Sequence, residues 1–115
     1  MNTHLIGKKF EKEVYEVLKK KFDKVIWLSE NNKVSSVDFK CIKKNIIFYV
    51  EAKKNPIGTY RDGCYDRYKI NLFCSQINNE IIFLLPRDKG ENKPVKERIV
   101  NIDYFIKNKI KESEK

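Results

Sequence analysis

Histidine and cysteine are scarce in this chain, and the scarcity removes several kinds of chemistry. His4 is the only histidine, and the three cysteines, at 41, 64 and 74, show no C-x-x-C spacing, so a zinc site has too few ligands. Three is also an odd number, and Cys41 and Cys74 fall on apolar faces. They read as reduced, buried thiols of a cytoplasmic protein. No signal-peptide pattern and no run of ~18 apolar residues is present, so nothing calls for export or membrane insertion. Repeats, linkers and low-complexity segments are absent too. Arginine is sparse beside lysine.

What remains is a single domain of 115 residues, 41% hydrophobic, enough for one modest core. The formal net charge of +9 suits a polyanionic partner, because lysines placed near phosphates add salt-dependent affinity. Abundant Lys, Ile and Asn is also what an A+T-rich coding sequence produces, so the charge permits nucleic-acid binding without requiring it.

The most informative stretch is 36–54. Two β-rich runs, 37–42 and 46–53, flank Lys43-Lys44-Asn45, a short polar connection whose Asn tolerates positive φ. A two-residue turn at Lys44-Asn45 sets Asp38 opposite Glu51. Alternation then gives one face Val37, Phe39, Cys41, Ile46, Phe48, Val50 and Ala52, wholly apolar, and leaves Asp38, Glu51 and Lys53 together at the open end of the other face. Two carboxylates in one place are held ionised by a divalent cation, Mg²⁺ or Mn²⁺ by the hardness of the ligands, and a nearby lysine can orient or deprotonate a metal-bound water. Phosphodiester hydrolysis is the matching reaction. The plainer alternative is a cross-strand ion triad on an exposed hairpin.

Before the hairpin, a helix capped by Asn2 or Thr3 runs to about Lys21 with Phe10, Val14, Val17 and Leu18 as its apolar stripe. Glu11 borders that stripe on the side of Gly7, where it can look inward. Val25 to Leu28 is a short strand, with Trp27 a core or rim aromatic. Residues 29–36 form a polar loop whose Ser and Asn side chains can bond phosphates or the loop's own backbone.

Asp38, twelve intervening residues, then Glu51-Ala52-Lys53, led in by Tyr49-Val50, resembles the PD-(D/E)XK nuclease signature, with Val37 where the eponymous proline stands. Gly7-Lys8-Lys9-Phe10-Glu11, followed by Val14 and Leu18, resembles the first helix of archaeal Holliday junction resolvases and related restriction-endonuclease-like proteins. The resemblance implies an α/β restriction-endonuclease-like core. It also implies Asp38, Glu51 and the Ala52 backbone carbonyl as metal ligands, Glu11 binding the ion directly or through water, and catalytic roles for Glu11, Asp38, Glu51 and Lys53. The activity implied is Mg²⁺-dependent hydrolysis of DNA, with Mn²⁺ able to substitute and RNA not distinguished, leaning to a structure-selective endonuclease. A non-catalytic DNA-binding or assembly module of the same fold is the rival.

After Lys53 the strand breaks at Asn55-Pro56 and a loop follows through Gly58, Arg61 and Gly63, with Lys54 and Arg61 placed to grip a backbone. From about 64 to 77 the spacing of Ile70, Phe73, Cys74 and Ile77 predicts a helix, with Lys69 able to reach the site. Its opposite face, Tyr65, Tyr68 and Leu72, suggests a homodimer contact. Ile81 to Leu85, stopped by Pro86, reads as a central strand reached by a helical crossover and parallel to its partner. Arg98 to Ile102 is a last strand, and Asp103 caps a terminal helix to about Lys111, beyond which 112–115 fray. The expected order is αβββαββα, a mixed central sheet flanked by helices.

Overall fold

A computed structural model describes residues 3–31, 37–54, 70–85 and 98–115. It is an α/β structure, and the described residues form one six-stranded mixed sheet and two helices. Helix α1 spans Thr3–Lys19 and brings Phe10, Val14 and Leu18 to a fully or almost fully buried stripe, with Val17 half-buried beside them. Strand β1 (Lys24–Trp27) pairs antiparallel with β2 (Phe39–Lys43), which pairs antiparallel with β3 (Ile46–Ala52). The hairpin register is the expected one: Phe39 faces Val50 and Lys43 faces Ile46 across a turn in which Lys44 and Asn45 hold φ of 48° and 67°. Two consecutive residues at positive φ give the tight turn whose twist matches that of the strands.

The expectation of a helix over 64–77 is wrong where the structure describes it. Leu72–Ile77 is strand β4, parallel to β3. Leu72, Phe73, Cys74 and Ser75 are all buried, and Leu72 and Cys74 pack into one cluster while Phe73 packs into another. A strand at the sheet's centre buries both faces, so its apolar residues are continuous, and a short continuous run mimics half of a helical stripe. Asn71 fixes the junction: its Oδ1 accepts the Tyr49 N–H at 2.8 Å and its own N–H donates to the Tyr49 carbonyl at 2.9 Å.

A second correction follows. The strand over Ile81–Leu85 is β5 (Glu80–Leu84), and it lies antiparallel to β4, not parallel to its partner. Asn78 and Asn79, at φ of 51° and 67°, make a tight turn of the same kind as Lys44-Asn45. The parallel step belongs to β3 and β4. Strand β6 is only Ile99–Val100, and helix α2 runs Ile102–Ser113, past the expected end at Lys111. Its cap is Asn101, whose side chain accepts the Tyr104 N–H at 3.1 Å. Asp103 sits inside the first turn, where it complements the helix dipole.

The strands follow one another in chain order across the sheet, β1 to β6. The main core lies between one sheet face, with Phe39, Cys41, Phe48 and Val50, and the two helices, with Phe10, Val14, Leu18, Ile102 and Ile106. Phe48 joins both helices, its ring 5.2 Å from Phe22, just beyond α1, and 6.0 Å from Phe105 of α2. The other face carries a smaller cluster of Val37, Ile70, Phe73 and Leu84. Val37 therefore does not share the Phe39 face as expected. Strand β2 begins only at Phe39, and alternation does not extend back through the bend at 37–38.

Candidate functional site

Three acidic side chains from separate parts of the sequence meet at the open end of the β2–β3 hairpin. Asp38 precedes β2, with its carbonyl accepting the Leu28 N–H at 2.8 Å. Its carboxylate faces the end of β3, where Oδ2 accepts the Ala52 N–H at 3.0 Å. Glu51 lies on β3 between β2 and β4, half-buried in the middle of the sheet. Glu11 comes from α1, one residue along from the buried Phe10.

Ser29 ties the first and last together. Its Oγ lies 2.8 Å from Asp38 Oδ1 and 2.5 Å from Glu11 Oε1, and Ser29 is buried. One hydroxyl has one proton to donate, so it serves one carboxylate at a time. Glu11 Oε1 also accepts the Trp27 indole N–H at 3.0 Å and stands 3.6 Å from the Lys8 ammonium, which in turn donates to the Ser29 carbonyl. Trp27 packs at a tilt against Tyr15 and Phe39, with ring centroids 5.2 and 5.8 Å away, so the donor is held by packing.

The electrostatic consequence falls on Glu51. Burial pushes its carboxyl up to about 9, the adjacent Asp38 adds to the rise by charge and by a hydrogen bond, and Glu11 adds more; the Lys53 ammonium opposes them. At neutral pH Glu51 accordingly holds a proton. Lys53 is exposed just past the end of β3, where its backbone N–H donates to the Cys74 carbonyl at 2.8 Å.

Glu11, Asp38, Glu51 and Lys53 are thus neighbours. Lys54 is exposed beside them, while Arg61 and Lys69 lie outside the described residues, as do Tyr65 and Tyr68. Leu72, the third residue of the expected dimer contact, is fully buried in β4 and cannot form a subunit surface. Cys41 and Cys74 are buried free thiols, and burial pushes Cys41 up to about 12. Ser29, Trp27 and Lys8 belong to the cluster, although sequence reasoning assigned none of them a role beside the acids. The polar loop beginning at Ser29 was legible, but which of its residues turns toward Glu11 is a matter of tertiary packing.

The donors present suit a small divalent cation. They are hard oxygens, and the crowding of Asp38 and Glu11 against Glu51 is what a cation relieves. Among the described residues no three His, Cys, Asp or Glu side chains already stand in metal-holding positions. An ion taken up here would therefore draw the carboxyls inward and displace the proton from Glu51. No helix among the described residues is long and apolar enough to cross a membrane. Comparison of the chain with protein-family models, with curated proteins and with solved structures gives no match.

Proposed function

We propose that the protein is a Mg²⁺-dependent nuclease of the PD-(D/E)XK type acting on DNA. The observation that carries this reading is the arrival of Glu11, from a helix 27 residues upstream of Asp38, at the Asp38–Glu51 pair. A surface ion triad on a hairpin has no need of a third, remote acid. The coarse fold is compatible with the same reading: an α/β structure in which a helix and three antiparallel strands are followed by a strand parallel to the third.

Asp38, Glu51 and the Ala52 carbonyl would hold the ion, with Glu11 binding directly or through water. When bound, Mg²⁺ supplies Lewis acidity at the phosphate and makes a bound water more acidic. The chain's own residues do the rest. Ser29 Oγ and the Ala52 N–H fix the Asp38 carboxylate, the Trp27 indole and Lys8 fix Glu11, and Lys53 orients the attacking water and offsets charge building on the phosphate. A four-way junction is the substrate toward which the Gly7 to Glu11 spacing leans.

One observation favours the rival, a nucleic-acid-binding module that retains the fold without cutting: both Asp38 oxygens already have protein donors. The two readings separate in one experiment. Labelled four-way-junction, flap, duplex and single-stranded DNA and a matching RNA are incubated with Mg²⁺, Mn²⁺ or EDTA, beside Glu51→Gln. Metal-dependent cutting that disappears in Glu51→Gln is the expected result. Binding without cutting under either metal would establish the module instead.

A further inference from the structure

At the opposite end of the β2–β3 hairpin from the acids lies a groove of about 490 Å³ with a very different lining. Six lysines surround it: Lys20 and Lys21 beyond the end of α1, Lys43 and Lys44 at the hairpin turn, and Lys107 and Lys111 on α2. Ile106 and Ile110 contribute apolar surface, and among the described residues the acids in the wall are Asp103 and Glu114. Lys21 is held by Asp103 at 3.1 Å and Lys43 by Asp23 at 3.4 Å. Lys20, Lys107 and Lys111 are exposed and form no salt bridge among the described residues; Lys44, also exposed, meets Asp23 through its backbone N–H, which donates to Oδ2 at 3.0 Å, and through its charge.

Helix dipoles account for some of this charge, since Lys20, Lys21 and Lys111 sit near helix C-termini. They do not account for Lys44 or Lys107. Lys107 and Lys111 are one turn apart on α2, so their ammonium groups project as a pair over the same face. The sequence brings these lysines from three separate segments, and folding sets them around one concavity.

We infer that this groove is a second nucleic-acid contact, taking the sugar-phosphate backbone of the strand whose cleavage site lies at the acids. The choice of a nucleic acid rests on the nuclease reading above. Geometry supplies the reach: Glu51 is five residues along β3 from Ile46, which places groove and acids about 17 Å apart along the strand. That is roughly five nucleotides at 3.4 Å each. Backbone phosphates meet the lysines, and the sugar edges lie over the isoleucines. Such a contact carries no sequence information; it raises affinity and fixes where along a strand the acids act.

The test separates groove from site. Binding of a 30-nucleotide DNA strand is measured by fluorescence anisotropy in EDTA, across a salt series, with Glu51→Gln as the background so that no cutting intervenes. Adding Lys44→Glu and Lys107→Glu is expected to weaken binding at least tenfold and to flatten the log–log salt dependence by about 1.5, the share of two phosphate contacts on a single strand. Lys9→Glu with Lys12→Glu, an equal change of charge on α1 away from the groove lining, controls for net charge. Melting curves confirm that both pairs fold. In the otherwise wild-type chain the groove pair should leave cleavage of a four-nucleotide substrate unchanged and slow that of the 30-nucleotide strand at low concentration. Unchanged binding in the groove pair, an equal loss in the control pair, or binding that appears only with anionic phospholipid vesicles overturns the inference. Groove-dependent binding with no cutting by the wild-type chain leaves the inference standing and removes the nuclease reading; cutting with groove-independent binding does the reverse.

Discussion

Ser29 shows how one small side chain can organise a site. It is buried, bonded to Asp38 and within 2.5 Å of Glu11, and it connects a loop after β1 to an acid from α1 and an acid before β2. Replacing it with Ala removes the one donor that Asp38 and Glu11 share. Hydrogen bonds to charged groups contribute about 1.5–3 kcal/mol. Ser29→Ala should therefore lower stability in urea by that order and reduce metal-dependent cleavage without abolishing it, whereas Glu51→Gln should abolish cleavage and leave the fold intact. Gly7 gives a prediction of the other sign. A Cβ built there meets nothing within 4 Å, so no neighbour among the described residues requires glycine. Gly7→Ala inside α1 should stabilise by about 0.5–1 kcal/mol in a denaturation curve. If cleavage falls nonetheless, the open space beside Gly7 is needed by substrate.

At the scale of elements, the two hairpins share one device. Lys44-Asn45 and Asn78-Asn79 both hold positive φ at two consecutive residues, and each sets an antiparallel register. Asn79→Gly should be tolerated and Asn79→Ala should cost about 1 kcal/mol, because Ala pays the left-handed penalty that Gly escapes and Asn tolerates. Phe48 on β3 is the element-scale keystone of the core, almost wholly buried and in ring contact with Phe22 and Phe105. Phe48→Ala should destabilise by about 3–5 kcal/mol, read as a shift of the urea midpoint. The β2–β3 register was legible in the sequence because one face is apolar and the turn is short. The β4 strand was not. Its spacing at Ile70, Phe73, Cys74 and Ile77 fits a helical stripe equally well, and only pairing with β3 on one side and β5 on the other reveals why every residue from Leu72 to Ser75 is apolar or small.

Across the described residues charge is spread unevenly, with three acids at one end of the central hairpin and a groove rich in lysine at the other. The acids make stability depend on pH. Glu51 has a folded value of about 9 against an ordinary 4.5, so between these values the folded chain holds a proton that the unfolded chain has lost. Stability of the metal-free protein should consequently fall as pH rises from about 5 to 9, with a slope no steeper than ~1.4 kcal/mol per pH unit for one proton. Thermal melts at pH 5, 7 and 9 in EDTA would show it, and Glu51→Gln, which has no proton to lose, should flatten the trend. A melt of the unaltered chain independent of pH over this range would mean that Glu51 is not crowded as described. Adding Mg²⁺ should raise the melting temperature more at pH 8 than at pH 6, because binding must displace that proton.

Local rules determined much of this protein. The amphipathic α1, the hairpin with Asp38 brought to Glu51, the strand before them and the final helix all follow from periodicity, turn chemistry and side-chain alternation over a few residues. Even Glu11 could be placed on an inward border of its helix. Tertiary structure alone decided the rest: that 72–77 is a strand, that β5 runs antiparallel to it, and that Ser29 lies between Glu11 and Asp38. Each of these depends on which groups lie beside a residue across the sheet or across the core. That information is set by burial and by the pairing of backbone hydrogen bonds between distant segments, and no window of neighbouring residues contains it.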